Sequence, residues 1–259
     1  MRYPVLKDLR AARLIEQLDY DFSDFRASLG SWQILLFALR AKEFDAIVRD
    51  FIAEHPGATV VNIGAGLDTA FSRVDNGKIR WYDLDVPEVI RLRNRLLPRE
   101  EKARTIAKSM FDESFLDDIE EPKDGILFLL GGVLMYFDEK RVRSFLEMLA
   151  CRFPGAEVVF DSVSPLGLRA ANRMVEKSGI RGAPMRWSLR SARELERWDA
   201  GFRLLERYPI ALKTRVFLFW GVSAWLLTKL NNLLSLVSVN LLRLRDVSAV
   251  STEGAPGRA

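Results

Sequence analysis

The sequence predicts an α/β fold with a mostly parallel sheet, an antiparallel final strand, N-terminal helices and a helical cap. Short apolar runs alternate with helical patterns through the middle of the chain. The runs are apolar at successive positions, which is typical of strands covered by helices on both faces. One run leads directly into Gly64-Ala65-Gly66, the order of strand, turn and helix that is found at nucleotide-type sites.

The predicted elements follow one another in a regular order. Residues 35–53 keep apolar side chains at helical spacing and end at a Glu-His-Pro-Gly stop. Strands are then predicted at residues 59–63, 79–83, 103–107, 125–130 and 157–161, and helices at residues 68–74, 87–97 and 138–150. The last two strands, residues 202–210 and 236–244, are predicted to form an antiparallel hairpin that closes the sheet.

Segments beyond this minimal sheet are expected to form the cap. The arginine-rich residues 165–198 either roof the site or form an ordinary solvated helical face. The apolar residues 216–227 are too few to span a bilayer, so they form a helix that lines an apolar pocket, a plain core helix or an interfacial anchor. A single domain is predicted, with a helical region at 1–57, a cofactor-binding core at 58–163, a cap with the closing strands at 164–247, and a fraying tail at 248–259.

Composition restricts the class of protein. The chain has 259 residues, of which 49% are hydrophobic, enough for one large core. Its net charge of +4 comes without a long basic run, so nucleic acid is not an expected partner. The lone Cys151 indicates a reducing compartment, and with one histidine it leaves no Cys/His metal site. The first residues lack the apolar core of a secretory signal, so a cytoplasmic protein without membrane association is expected.

The glycine turn favours a ligand without phosphates. A dinucleotide fingerprint would place a third glycine at position 69, where this chain has Thr69, and Asp68 adds negative charge where a pyrophosphate would lie. S-adenosylmethionine (SAM) is therefore favoured over NAD(P), and a tight turn that binds nothing is the third interpretation. Asp83 and Asp85, about twenty residues after the turn, offer carboxylates for ribose hydroxyls.

Three segments carry a family resemblance: VVNIGAGLDTAFSRV, WYDLDVPEVIRLRNRLLP and LLGGVLMYF. In order and spacing they resemble the SAM-dependent O-methyltransferases that include leucine carboxyl methyltransferases and the tetracenomycin-type polyketide O-methyltransferases. The resemblance covers residues 35–165 well. It implies the class I SAM-methyltransferase (Rossmann-like) sheet, S-adenosyl-L-methionine as the cofactor, and a small, largely apolar, polyketide-like molecule as the methyl acceptor.

The resemblance also implies particular cofactor contacts. Arg40, in a pattern with Lys42 and Asp45, would bind the SAM carboxylate through its planar guanidinium, although both basic residues could be ordinary exposed helix charges. Asp85 is favoured over Asp83 for the ribose. The predicted cofactor-binding residues are Arg40, Gly64, Gly66, Asp85, Ser109, Met110, Asp112 and Gly131.

Two positions depart from the family pattern. Ser109 replaces the acidic residue that would meet the adenine amine in leucine carboxyl members, with Asp112 as a substitute acceptor. Gly131-Gly132 stands where many relatives have Glu-Gly, which leaves backbone carbonyls near the charged end of SAM. These departures motivate one alternative, a non-catalytic SAM-binding subunit. An NAD(P)-dependent oxidoreductase and a protein methyltransferase are the others.

The sequence contains no evident general base. SAM is already activated, so methyl transfer depends mainly on placement of the acceptor oxygen. The sole histidine, His55, precedes the first strand and is expected at the edge of the sheet opposite the strand carboxyl ends. The acceptor therefore arrives ionised, as a carboxylate or an acidic phenol, or else Tyr136 or Asp161 acts as the base. Asp161 is equally suited to capping the turn that follows the fifth predicted strand.

Overall fold

The computed structural model describes residues 5–21, 31–98, 100–178, 184–191, 193–199, 201–213 and 221–245. In this part of the chain a seven-stranded sheet has the order β3-β2-β1-β4-β5-β7-β6. The strands are β1 (Thr59–Ile63), β2 (Arg80–Asp85), β3 (Ala103–Ala107), β4 (Ile126–Leu130), β5 (Glu157–Val163), β6 (Arg203–Pro209) and β7 (Val237–Arg243). Strands β1 to β5 pair in parallel and β7 is antiparallel to both β5 and β6. The predicted fold class is confirmed.

Helices cover both faces of the sheet. They are α1 (Leu9–Gln17), α2 (Ser31–Glu54), α3 (Phe71–Val74), α4 (Pro87–Leu96), α5 (Glu139–Arg152), α6 (Pro165–Ser178), α7 (Arg193–Trp198) and α8 (Val222–Leu234). The helix predicted at 68–74 begins only at Phe71, because the Asp68 side chain accepts a hydrogen bond from Ala70 N and holds a turn before it. Short 3-10 turns at Glu113–Asp118 and Leu134–Tyr136 follow β3 and β4.

The core has two halves, one on each face of the sheet. Alternate residues of β1, β4 and β5 point to opposite faces. Val61, Phe128 and Phe160 pack toward α5, whereas Val60, Leu127 and Val159 pack toward α2. Because Asp161 shares a strand face with Val159, its side chain points toward α2, which determines its role below.

Helix α8 contains the described part of the apolar segment predicted at 216–227, and residues 216–220 lie outside the described residues. It buries Ala224, Thr228 and Asn231, while Leu233 is 79% exposed. The Asn231 side chain faces inward because it forms hydrogen bonds to both Val237 N and Val237 O. Val222 and Leu226, which belong to the predicted segment, are exposed, so a plain core helix is wrong for its described part. Within the described residues, no helix is both long and apolar enough to cross a membrane.

The division of the domain into four segments stays a prediction, and the tail 248–259 lies outside the described residues.

Candidate functional site

The carboxyl ends of β1, β2 and β4 meet at one edge of the sheet. Ile63 of β1 pairs with Leu84 of β2, and Asn62 pairs with Leu129 of β4. A cavity of about 290 Å³ lies between this edge and α2, and its lining includes Phe37, Arg40, Phe44, Gly64, Asp68 and Gly131. Three of the predicted cofactor-binding residues, from three separate elements, therefore line one cavity.

The turn after β1 requires glycine at Gly64 and Gly66. Both have positive φ angles, +68° and +50°, in the left-handed region that favours glycine. A Cβ on Gly64 would lie 2.6 Å from Val133 Cγ2, so the absence of a side chain also allows the loop after β4 to approach closely. The turn is tied to β2 because Gly64 N donates to Leu84 O at 2.8 Å.

Asp85 lies at the end of β2 beside this turn. Its Oδ2 accepts a hydrogen bond from Gly66 N at 2.8 Å, and its Oδ1 accepts one from Val86 N at 2.7 Å. The residue is half-buried, so a ligand at the sheet edge can reach its carboxylate. Each oxygen keeps acceptor capacity for a hydroxyl, because a carboxylate oxygen can accept two hydrogen bonds.

Asp83 is occupied by protein groups. It is 2% exposed and accepts hydrogen bonds from Trp81 Nε1 at 2.9 Å and from Asn62 Nδ2 at 3.2 Å. Burial raises the pKa of the Asp83 carboxyl, and the neighbouring Arg93 guanidinium offsets part of that rise. Of the two acids at the end of β2, Asp85 is therefore the one that a ligand can reach.

Arg93 on α4 is a residue that the sequence analysis missed. Its Nη1 donates to Gly66 O at 3.1 Å and Asp68 O at 2.7 Å, and its Nη2 donates to Asp83 Oδ2 at 2.6 Å. Arg93 thereby supports the carbonyl side of the glycine turn. A signal was present, because Arg93 falls three residues after the buried Ile90, on the inward face of the helix, where a guanidinium requires buried partners.

Arg40 reaches the cavity from α2. Its Nη1 donates to Asp161 Oδ2 at 3.2 Å, and its Cζ lies 5.5 Å from the centre of the Phe37 ring. Lys42 instead lines a separate cavity on the other side of α2, near α1. Asp45, the acid of the same sequence pattern, forms a two-bonded ion pair with Arg73, at 2.7 and 2.9 Å. Only Arg40 of this pattern's basic residues therefore faces the glycine turn.

The residues predicted to meet adenine lie along the same edge, after β3, but outside the lining of this cavity. Ser109 Oγ accepts a hydrogen bond from Phe111 N, and Met110 is buried in the core. Asp112 Oδ1 accepts a hydrogen bond from Ser114 N, and bonds to Ser114 hold the Asp112 pKa below its usual value. Because β3 neighbours β2, these residues lie beyond Asp85 and not beside Arg40.

The candidate bases differ in accessibility. Tyr136, in the 3-10 turn after β4, is exposed. Asp161 is buried, and its two oxygens accept hydrogen bonds from Gly132 N and Arg40 Nη1. The interpretation of Asp161 as a cap for the following turn is wrong, because β5 continues to Val163.

His55 lies at the opposite edge of the sheet, as predicted. Its Nδ1 is 3.4 Å from Asp124 Oδ1. Among the described residues, no group of acidic, histidine or cysteine side chains could hold a metal ion.

The sequence of this chain matches a known protein family and a known methyltransferase. The family described as leucine carboxyl methyltransferase matches residues 4–150. The tetracenomycin polyketide synthesis O-methyltransferase TcmP of Streptomyces glaucescens is 33% identical over 208 residues, which cover 80% of this chain and 76% of the relative.

Two solved structures share the fold. A DUF574 family protein from Streptomyces avermitilis has a TM-score of 0.61 at 16% identity, covering 92% of this chain and 96% of its own. Magnesium protoporphyrin IX methyltransferase (ChlM) from Synechocystis, with bound S-adenosylhomocysteine (SAH), has a TM-score of 0.51 at 14% identity, covering 92% and 93%. At such low identity these two structures support the fold alone.

Proposed function

The chain belongs to the leucine carboxyl methyltransferase family, and from this premise we propose that the cavity between α2 and the sheet edge binds the amino acid end of SAM. The protein is a SAM-dependent O-methyltransferase.

The observation that carries the proposal is that Arg40 and Gly64 line the same cavity. Arg40 offers a guanidinium to the carboxylate of SAM, and the glycine turn lets the cofactor approach the backbone. Asp85 is joined to this turn through Gly66 N, so its carboxylate is suited to the ribose hydroxyls. These donors and acceptors fit a ligand that carries a carboxylate at one end and a ribose further along the sheet.

SAM supplies an activated methyl group, and the protein must hold the acceptor oxygen in line with it. Tyr136 is the exposed ionisable candidate after β4, and we propose it as the base for acceptors that arrive protonated. A carboxylate or an acidic phenol needs no base. The polar contacts of Asp161 favour a role in binding over a role as a base.

We propose a small, largely apolar carboxylate or hydroxyl compound as the acceptor. Ile34 and Phe37 of α2 and Leu166 and Met174 of α6 are exposed apolar side chains, and Gln33 of α2 contacts Met174. Phe37 also lines the proposed SAM cavity, so an exposed apolar side chain lies beside it. The relative TcmP acts in tetracenomycin polyketide synthesis, which supports a polyketide-like acceptor. We also propose that the protein acts in the cytoplasm and that nucleic acid is not among its partners.

The test is methyl transfer from SAM to a panel of polyketide-like carboxylates and phenols, read as a mass increase of one methyl group. We expect transfer to apolar members of the panel and none from an Arg40→Ala protein at low SAM concentration. Binding of SAM without transfer to any class of acceptor, proteins included, would favour the alternative of a non-catalytic subunit. Tight binding of NADH in place of SAM would favour an oxidoreductase.

A further inference from the structure

Gly131 and Gly132, after β4, leave the space that the Arg40 guanidinium fills. Gly132 has a φ of +74°, and a Cβ there would lie 2.5 Å from Arg40 Nη1. A Cβ on Gly131 would lie 3.7 Å from Arg40 Nε and 3.4 Å from Phe44 Cε2. The guanidinium therefore lies against the backbone of this glycine pair, and its position depends on what holds it there.

Asp161 is the carboxylate that holds it. The residue is 2% exposed, and its partners lie on two other elements. Oδ1 accepts a hydrogen bond from Gly132 N at 2.6 Å, and Oδ2 accepts one from Arg40 Nη1 at 3.2 Å. One buried side chain of β5 thus connects α2 to the loop after β4, across 121 residues of sequence in the case of Arg40.

The contact uses only part of the guanidinium. Asp161 binds Nη1, and within the described residues no hydrogen bond or ion pair engages Nε or Nη2 of Arg40. A guanidinium has five N–H donors in a rigid plane, so fixing Nη1 also fixes the direction of the others. The remaining donors are then available to a second carboxylate in the cavity that Arg40 lines.

We propose that Asp161 is a positioning residue for the amino acid end of the cofactor. By binding Arg40 Nη1 and Gly132 N, it orients the free edge of the guanidinium toward the SAM carboxylate. This inference rests on the proposed function of the cavity. It assigns Asp161 to cofactor binding, because both of its oxygens accept hydrogen bonds from protein groups.

The Asp161→Asn variant distinguishes two effects of the Asp161 carboxylate. One is the positioning of Arg40, and the other is repulsion of the SAM carboxylate. Asparagine Oδ1 can still accept from Gly132 N, but its amide nitrogen then faces Arg40 Nη1, donor against donor. Arg40 would lose its fixed direction and regain rotamer freedom. Ligands that carry the carboxylate should bind less tightly, whereas ligands that lack it should not be affected.

The experiment measures dissociation constants by calorimetry for SAH, which carries the amino acid group, and for 5′-methylthioadenosine, which lacks it. In Asp161→Asn we expect the SAH constant to rise about tenfold, the scale of one charge-assisted hydrogen bond, and the methylthioadenosine constant to stay within about twofold. Adding Asp161→Asn to Arg40→Ala should weaken SAH no further than Arg40→Ala alone. The matched control is Glu157→Gln, which breaks an ion pair with Arg243 at the other end of β5 and should change neither constant.

Equal weakening of both ligands in Asp161→Asn would show a merely structural role. Unchanged SAH binding would show that Asp161 does not position Arg40, and tighter SAH binding would show that Asp161 competes with the cofactor carboxylate. Any of these results overturns the inference. The proposed function fails separately, if the parent protein does not bind SAH or if Arg40→Ala leaves SAH binding intact. Should Asp161→Asn not fold, Asp161→Ser gives the same comparison, because its shorter, uncharged side chain leaves no carboxylate to hold Arg40.

Discussion

Arg93 and Asp83 form a buried ion pair directly behind the glycine turn, with Nη2 2.6 Å from Oδ2. The same guanidinium donates to two carbonyl oxygens of the turn. A side chain that never faces the cavity thus supports the backbone on which the cofactor lies. The pair also places two opposite charges in the core, so removing one of them should make the stability of the protein depend on pH.

Replacing Arg93 with alanine should destabilise the protein by about 3 kcal/mol at neutral pH, because it leaves the Asp83 carboxylate buried without its cation. The pKa of Asp83 is already raised by burial and should rise further in the variant. A raised carboxyl pKa means that protonation favours the folded state. The free energy of unfolding that the variant has lost relative to the parent should therefore shrink as pH falls from 8 toward 5. Urea unfolding of both proteins at the two pH values measures this difference.

The matched control for that experiment is the double variant Arg93→Ala/Asp83→Asn. At this position it carries no buried charge, so its loss of unfolding free energy relative to the parent should be the same at both pH values. If the loss in Arg93→Ala also did not change with pH, the loss would come from packing and turn hydrogen bonds alone.

Asp85→Ala should remove most of the rise in thermal midpoint that SAH produces in the parent. A ligand that binds only the native state stabilises it by mass action, so a weaker ribose contact gives a smaller rise at the same SAH concentration. Differential scanning fluorimetry with and without SAH measures it, and the exposed Glu88→Ala, close by on α4, is the control. An undiminished rise in Asp85→Ala would mean that the ribose contact lies elsewhere.

Arg40→Ala should weaken SAM binding by about 1.5–3 kcal/mol, the scale of a hydrogen bond to a charged group, while the fold persists. Lys42→Ala should do much less, since Lys42 lines a different cavity. Calorimetric titration of the two variants side by side decides the point. A larger loss in Lys42→Ala would move the carboxylate contact to the other side of α2.

His55→Ala should keep nearly the rate of the parent with an active acceptor. His55 is paired with Asp124 at the edge of the sheet away from the glycine turn. The pH dependence of the rate between about pH 5 and 9, where imidazole titrates, should follow the ionisation of the acceptor. A hundredfold loss of rate in a folded His55→Ala protein would contradict the placement of the reaction at the carboxyl edge.

The sequence was sufficient to predict elements whose signal is local. Strands β1 and β3 begin and end at the predicted residues, because each is a short run between clear breaks. The start of α3 was missed because a hydrogen bond from Ala70 N to Asp68 holds a turn there, which apolar spacing does not register. The buried face of α8 could not be predicted for a similar reason, since Asn231 is buried through bonds to the Val237 backbone.

The proximity of Gly64, Gly66 and Asp85 was predictable, because each lies at or just after the end of its own strand. Their role in binding SAM stays a prediction. The pair of Arg40 with Asp161 was not predictable, because it depends on α2 packing over β5 and on which strand face carries Asp161. Both residues had been singled out, but for separate roles. Their contact follows from the position of α2 across the face of the sheet, which sequence spacing alone does not determine.

A crystal structure of the protein with SAH would show whether the cavity beside Gly64 binds the amino acid end of the cofactor. We expect the amino acid carboxylate of SAH within hydrogen-bond distance of Arg40, in this cavity, with the ribose hydroxyls on Asp85. Density for the carboxylate at Lys42, or for the ribose away from Asp85, would contradict this expectation.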